Sequence, residues 1–174
     1  MMETGLTKPQ MPIRARLAAA RPPASFWFAG ALVWGALMAA TLAVSLYGIG
    51  RPASGHAPAL FGIYFAGGAL GWLLALPLIR FFSFRRRPET RFAAAFLFLS
   101  CGTMGATALL FALQYRMFYA QWHAPFGTVI WAFQFVFTSA SAVYQFTALG
   151  SRHYFPLGVA LLVAASLWLA RRNR

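Results

Sequence analysis

Five apolar runs alternate with short polar, proline- and glycine-containing stretches along this chain of 174 residues. The runs cover about residues 26–47, 59–79, 92–113, 126–149 and 154–170. They are apolar on all sides instead of alternating in and out, which predicts helices and not the strands of a membrane barrel. A helix that crosses a bilayer needs about 20 apolar residues, because only internal hydrogen bonds satisfy its backbone there. The first four runs reach that length, and the last, at about 17 residues, is at the short limit. The pattern predicts an all-α integral membrane protein, a single bundle of about five transmembrane helices. Four spans plus a re-entrant or interfacial C-terminal helix are the alternative.

The segments outside the runs are basic. Residues 1–25 carry Lys8, Arg14, Arg16 and Arg21 among Pro9, Pro12, Pro22 and Pro23, and predict a mobile cytoplasmic tail. The run that follows is longer than the roughly 7–15 residues of a signal-peptide core, so it is expected to be retained. Residues 171–174 form a basic C-terminal end.

Composition narrows the class. The chain is 60% hydrophobic and 10% charged, whereas a soluble domain carries roughly a quarter charged residues. Too little polar surface exists to cover a soluble core. The net charge of +13 raises the question of nucleic acid. The basic residues stand at the ends of apolar segments and not in a stripe, so anionic membrane lipids are the expected partners and nucleic acid is not. Arg80, Arg85, Arg86, Arg87 and Arg91 fall between the second and third runs. With the basic tail they predict a cytoplasmic N-terminus. A fifth span would then place Arg171, Arg172 and Arg174 on the outer side, against the same rule. Arginine- and alanine-rich composition with a single cysteine, Cys101, suits a bacterial inner membrane.

Small residues mark packing faces. Gly67, Gly71 and Ala75 share one face of the second helix, and Gly35, Ala39 and Ala43 one face of the first. Such faces let backbones approach closely, so these two helices are expected to pack on each other, with a homodimer face as the alternative. Pro77 is expected to kink the second helix near its end.

Candidate chemistry is sparse. Gln134, Thr138, Ser141 and Gln145 fall at i, i+4, i+7 and i+11 on one face of the fourth helix, and Ser100, Thr103 and Thr107 share a face of the third. The two faces are expected to meet inside the bundle, as hydrogen-bonded glue or as a substrate cavity. The arginines Arg80, Arg85, Arg86, Arg87 and Arg91, joined by Arg152 and His153, form a candidate contact for an anionic lipid phosphate. The aromatic stretch at residues 115–123 reads as an interfacial belt. The chain has no Asp, and Glu3 and Glu89 lie outside the apolar runs. His56, His123 and His153 fall in separate loops. No metal, cofactor or catalytic set is expected from these residues.

The functional expectation is therefore an accessory or scaffold subunit of a membrane complex, with a membrane protein partner or as a homo-oligomer. The alternatives are a small transporter or flippase for a lipid-linked or neutral substrate, using the polar stripe, and a membrane enzyme acting on a phospholipid through His153 and Arg152.

Overall fold

A computed structural model describes residues 13–50 and 57–172. The expected tail up to residue 12, the loop with Arg51 and His56, and residues 173–174 lie outside the described residues. Six α-helices carry the fold: α1 (Ile13–Ala20), α2 (Ala24–Ala43), α3 (Ala57–Ser83), α4 (Pro88–Tyr119), α5 (Val129–Gln145) and α6 (Leu157–Arg172). There is no strand among the described residues. α2 and α5 each run on into a π-helical turn, Val44–Gly48 and Phe146–Gly150.

Four of the helical segments are long and apolar enough to cross a membrane: Ala24–Gly48, Ala57–Ser83, Pro88–Trp122 and Val129–Tyr154. α6, with 16 residues, is not among them. Two helices are longer than their apolar runs. α3 continues past Pro77 to Ser83, and α4 starts at Pro88, so Arg80 and Arg91 are helical and the loop shrinks to residues 84–87. Pro88 suits a helix start, where its missing N–H is not needed, and Glu89 complements the N-terminal end of the dipole. Residues Ile13–Ala20, expected within the tail, form a short alanine-rich helix, in line with the high helix propensity of alanine.

The closest packing joins α3 and α4. On α3 the buried positions Gly67, Gly71, Ala75, Ile79 and Ser83 recur every four residues. On α4 the buried positions Arg91, Ala95, Leu99, Thr103 and Thr107 do the same. A Cβ added at Gly71 would come within 2.6 Å of the Cα of Thr103, and one at Gly67 would collide with Thr107. The two contacts set an antiparallel register, in which each step of four forward on α3 meets a step of four back on α4. Continued along the pair, that register brings Ser83 opposite Arg91. The Gly67–Gly71–Ala75 face is thus an internal packing face, but against α4 and not against α2. α2 reaches α3 through other small residues, since a Cβ at Gly35 would meet the carbonyl oxygen of Phe65 at 2.6 Å and one at Gly68 would meet Met38 at 2.7 Å.

The path of the last third of the chain differs most from expectation. α5 begins beside the far end of α4, where the Arg116 guanidinium lies 4.2 Å from the Phe135 ring and the Ala124 N–H donates to Gln134 Oε1 at 2.8 Å. The segment ends beside the first halves of α3 and the last turns of α2, where the Tyr64 hydroxyl donates to the Gly150 carbonyl at 2.6 Å and Ser45 Oγ lies 2.7 Å from His153 Nδ1. A 3-10 turn at Ser151–Tyr154 and a cis Phe155–Pro156 bond follow. α6 then runs antiparallel to α2, from Gly158 near Thr41 to Arg172 over the Phe26 ring at 4.1 Å. α5 and α6 therefore make one passage between them, from the C-terminal end of α4 back to its N-terminal end. α1, the start of α2, the end of α3, the start of α4 and the end of α6 all gather at one end of the bundle. Arg171 and Arg172 lie there too, which removes the charge conflict that a fifth full span would create.

The glycine contacts make a paired expectation. Gly71→Leu should lower the stability of the detergent-solubilised protein by at least about 2 kcal/mol, the cost of forcing side-chain volume into a closed contact. Gly105→Leu, at a position with nothing within 4 Å of an added Cβ, should change it little. Thermal unfolding of the two variants checks this; equal losses would contradict the α3–α4 contact.

Candidate functional site

The gathered helix ends enclose a cavity of about 760 Å³. Five arginines line it: Arg80, Arg85, Arg86, Arg91 and Arg172, with Ser83, Phe84 and Ala19. Each is placed by an element already described. Arg80 stands in the last turn of α3 and Arg172 in the last turn of α6, where a cation is favoured by the helix dipole. Arg80 Nε donates to the carbonyl of Ala19 at 2.9 Å, tying α1 across the opening. Arg85 adopts a left-handed backbone, φ 52°, which a non-glycine residue takes only at a cost in energy. That turn lets a four-residue loop reverse the chain and keep Arg85 and Arg86 at the rim. Arg172 is held over two aromatic rings, Phe26 at 4.1 Å and Trp168 at 5.3 Å.

Two buried groups give the cavity its chemistry. Arg91 is 8% exposed and Ser83 1% exposed. Arg91 Nε and Ser83 Oγ have no hydrogen-bond partner among the described residues. A buried polar atom without a partner costs free energy, and a buried cation more so. Arg91 also sits in the first turn of α4, the end of a helix that favours anions. Glu89, the one described carboxylate, is exposed and does not line the cavity. An anion with several acceptor oxygens in the cavity would reduce the repulsion among the guanidinium groups that line it. Planar guanidinium forks match phosphate geometry.

The arginines expected to act together are only partly united. Arg80, Arg85, Arg86 and Arg91 meet at the cavity, while Arg87 caps α4 on its exposed side. Arg152 and His153 lie elsewhere. His153 packs edge-on to Tyr64, and Tyr64 precedes Arg80 by 16 positions on α3, about 24 Å along a helix. The enzyme expectation, which joined His153 and Arg152 to the arginine loop as a phosphate clamp, loses its geometry through that separation. Arg172 belongs to the cavity and was missed by sequence reasoning. Its signal was present in the charge conflict at the C-terminus, which pointed to α6 returning to the arginine end.

The polar stripe of the fourth run does not form an interior face. Gln134 is spent on the Ala124 N–H, Thr138 donates back to the Gln134 carbonyl, and Ser141 and Gln145 are exposed. The helix is rotated so that Ala142 is the one buried residue of α5. Of the third-helix set, Ser100 donates to its own Leu97 carbonyl, whereas Thr103 and Thr107 do point inward. They meet other partners than α5. Trp34 Nε1 donates to Thr103 Oγ1 at 2.9 Å, and Thr107 Oγ1 pairs with the Tyr154 hydroxyl at 2.9 Å. The first bond ties α2 to α4, and the second, with the Tyr64–Gly150 bond, fastens the break between α5 and α6 to α4 and α3. This inner cluster offers hydroxyl, indole and imidazole groups without a carboxylate. Among the described residues no group of three His, Cys, Asp or Glu side chains is placed to hold a metal. Cys101 is exposed.

No protein-family model, curated protein or solved structure matches this chain.

Proposed function

We propose that this is a membrane-embedded binding protein that takes a phosphate group into the arginine cavity at the cytoplasmic face of a bacterial inner membrane. The carrying observation is the cavity lined by five guanidinium groups, with Arg91 and Ser83, each of which holds a buried and unpartnered polar atom, among its lining residues. Four long apolar segments support membrane embedding, as do outward-facing large apolar side chains such as Leu32, Leu74, Leu97, Leu109 and Phe137. Positive charge concentrated at one end supports assigning that end to the cytoplasm. Both described chain ends lie there, which agrees with an even number of crossings, α5 and α6 sharing the last one. The described residues that line the site supply anion-binding groups, which supports a reading of binding.

One observation favours a second reading, the accessory subunit. α5 buries Ala142 alone and leaves Ser141, Tyr144 and Gln145 exposed, polar groups that a partner helix would pair within a membrane. A second protein at fixed stoichiometry in native mass spectrometry of the mild-detergent particle would support that reading, and a lone chain would count against it.

Two outcomes check the leading reading. In purified protein, inorganic pyrophosphate should raise the unfolding temperature relative to chloride at matched ionic strength. Saturation at a hundred times the dissociation constant corresponds to about 2.7 kcal/mol. Arg91→Met should abolish the response and raise the stability of the unliganded protein, since an apolar residue replaces an uncompensated buried charge. Arg87→Gln should keep the response. A response that survives Arg91→Met would remove the cavity as the site.

The topology has its own check in sealed vesicles, on a Cys101→Ala background. Single cysteines in place of Arg86 and Arg171 should react with an impermeant thiol reagent from the same side, and one in place of Trp122 from the other. Labelling of position 171 together with position 122 would contradict the shared passage of α5 and α6.

A further inference from the structure

We infer that the phosphate in the arginine cavity belongs to a membrane phospholipid whose hydrocarbon chain lies in the groove between α2 and α6. The inference rests on the phosphate reading above and names the class of ligand. A cavity of about 500 Å³ opens between these two helices, walled by Phe26, Val33, Leu37, Trp72, Leu161 and Trp168. Its lining is apolar apart from Arg172 and the indole nitrogens of its tryptophans. Arg172 is also a wall of the arginine cavity, so the two spaces share a side chain at their junction. The guanidinium is fixed there by the Phe26 and Trp168 rings, which places a cation at the mouth of the apolar groove.

Glycine shapes the floor. A Cβ at Gly30 would come within 2.5 Å of the Trp72 indole, so only glycine lets that ring pack against α2 and form the groove's inner wall. The groove also has a fitting length. From Leu161 to Arg172, 11 positions on α6, the rise is about 16 Å. Half of a hydrocarbon core of about 30 Å is one leaflet, the depth of a single acyl chain.

Cavity and groove together have the form of an amphiphile: several cations and a buried hydroxyl at the headgroup level, then an apolar channel along the helix axes. A free phosphate would use the first part alone. The groove opens sideways, because Val33 and Ala164 on its two walls are exposed. A chain can therefore enter from the bilayer, with no passage through the bundle.

The test uses the full-length protein in mild detergent with two probes, dioleoyl phosphatidic acid and glycerol 3-phosphate, their affinities read from thermal stability titrations. The wild type should bind the lipid at least about tenfold more tightly than the headgroup, from apolar area buried in the groove. Ala164→Trp and Val33→Trp fill the groove from exposed positions on opposite walls. Each should weaken lipid binding by about tenfold or more and leave glycerol 3-phosphate binding as it was, which also shows that the variant is folded. If both variants bind the lipid like the wild type while Arg91→Met loses both probes, the groove assignment is overturned and the phosphate site stands. If Arg91→Met keeps both probes, the phosphate reading itself fails.

Discussion

The backbone-to-backbone contact of α3 with α4 is the constraint on which the rest of the molecule depends. Gly67 and Gly71 remove the side chains that would hold the helices apart, and Thr103 and Thr107 occupy the space. Close packing of this kind is how helices associate in a bilayer, where no hydrophobic drive acts between them. It also sets a register, and the register has a chemical result. Carried along the four-residue repeat of buried positions, it ends with Ser83 against Arg91 at the last turn of one helix and the first turn of the next. A contact made of glycines near the centre thus fixes a buried cation at the rim. The remaining arginines are then recruited by short connections: Arg85 and Arg86 by the loop, Arg172 by the return of α6.

That return depends on the inner polar cluster. Tyr64 on α3, Thr107 on α4 and Ser45 in the turn after α2 hold Gly150, Tyr154 and His153, where α5 stops and α6 starts. Both π-helical turns contribute, Ser45 from one and Gly150 from the other. Turns of this kind widen the helix and leave backbone groups available to side chains. The exposed α5 and the packed α6 are therefore unequal halves of one passage, and the positive C-terminus reaches the same end as the arginine loop.

The helical class and the positions of the long apolar segments were legible in the sequence, because unbroken apolar runs between polar turns leave one arrangement of the backbone in lipid. The small-residue face of α3 was legible as a packing face, but its partner was not: glycine spacing says how close a neighbour can come and not which neighbour comes. Arg80, Arg85, Arg86 and Arg91 were legible as a cluster because they are close in sequence. Arg172 was not, since its place depends on the direction of α6. The fourth-helix stripe misled for a physical reason. Ser and Thr satisfy themselves on their own helix, as Thr138 does on the Gln134 carbonyl, so polar periodicity alone does not say which face turns inward.

We propose that Ser83 and Arg91 belong to a site that holds a phosphate group. The most direct measurement is an experimental density map of the protein purified with its native lipids, at a resolution that separates a tetrahedral phosphate from water. Phosphate density is expected in the arginine cavity, within hydrogen-bond distance of the Arg91 guanidinium, with chain density continuing past Arg172 towards Trp72. A cavity holding only water, or closed by a carboxylate from another part of the protein, would contradict it.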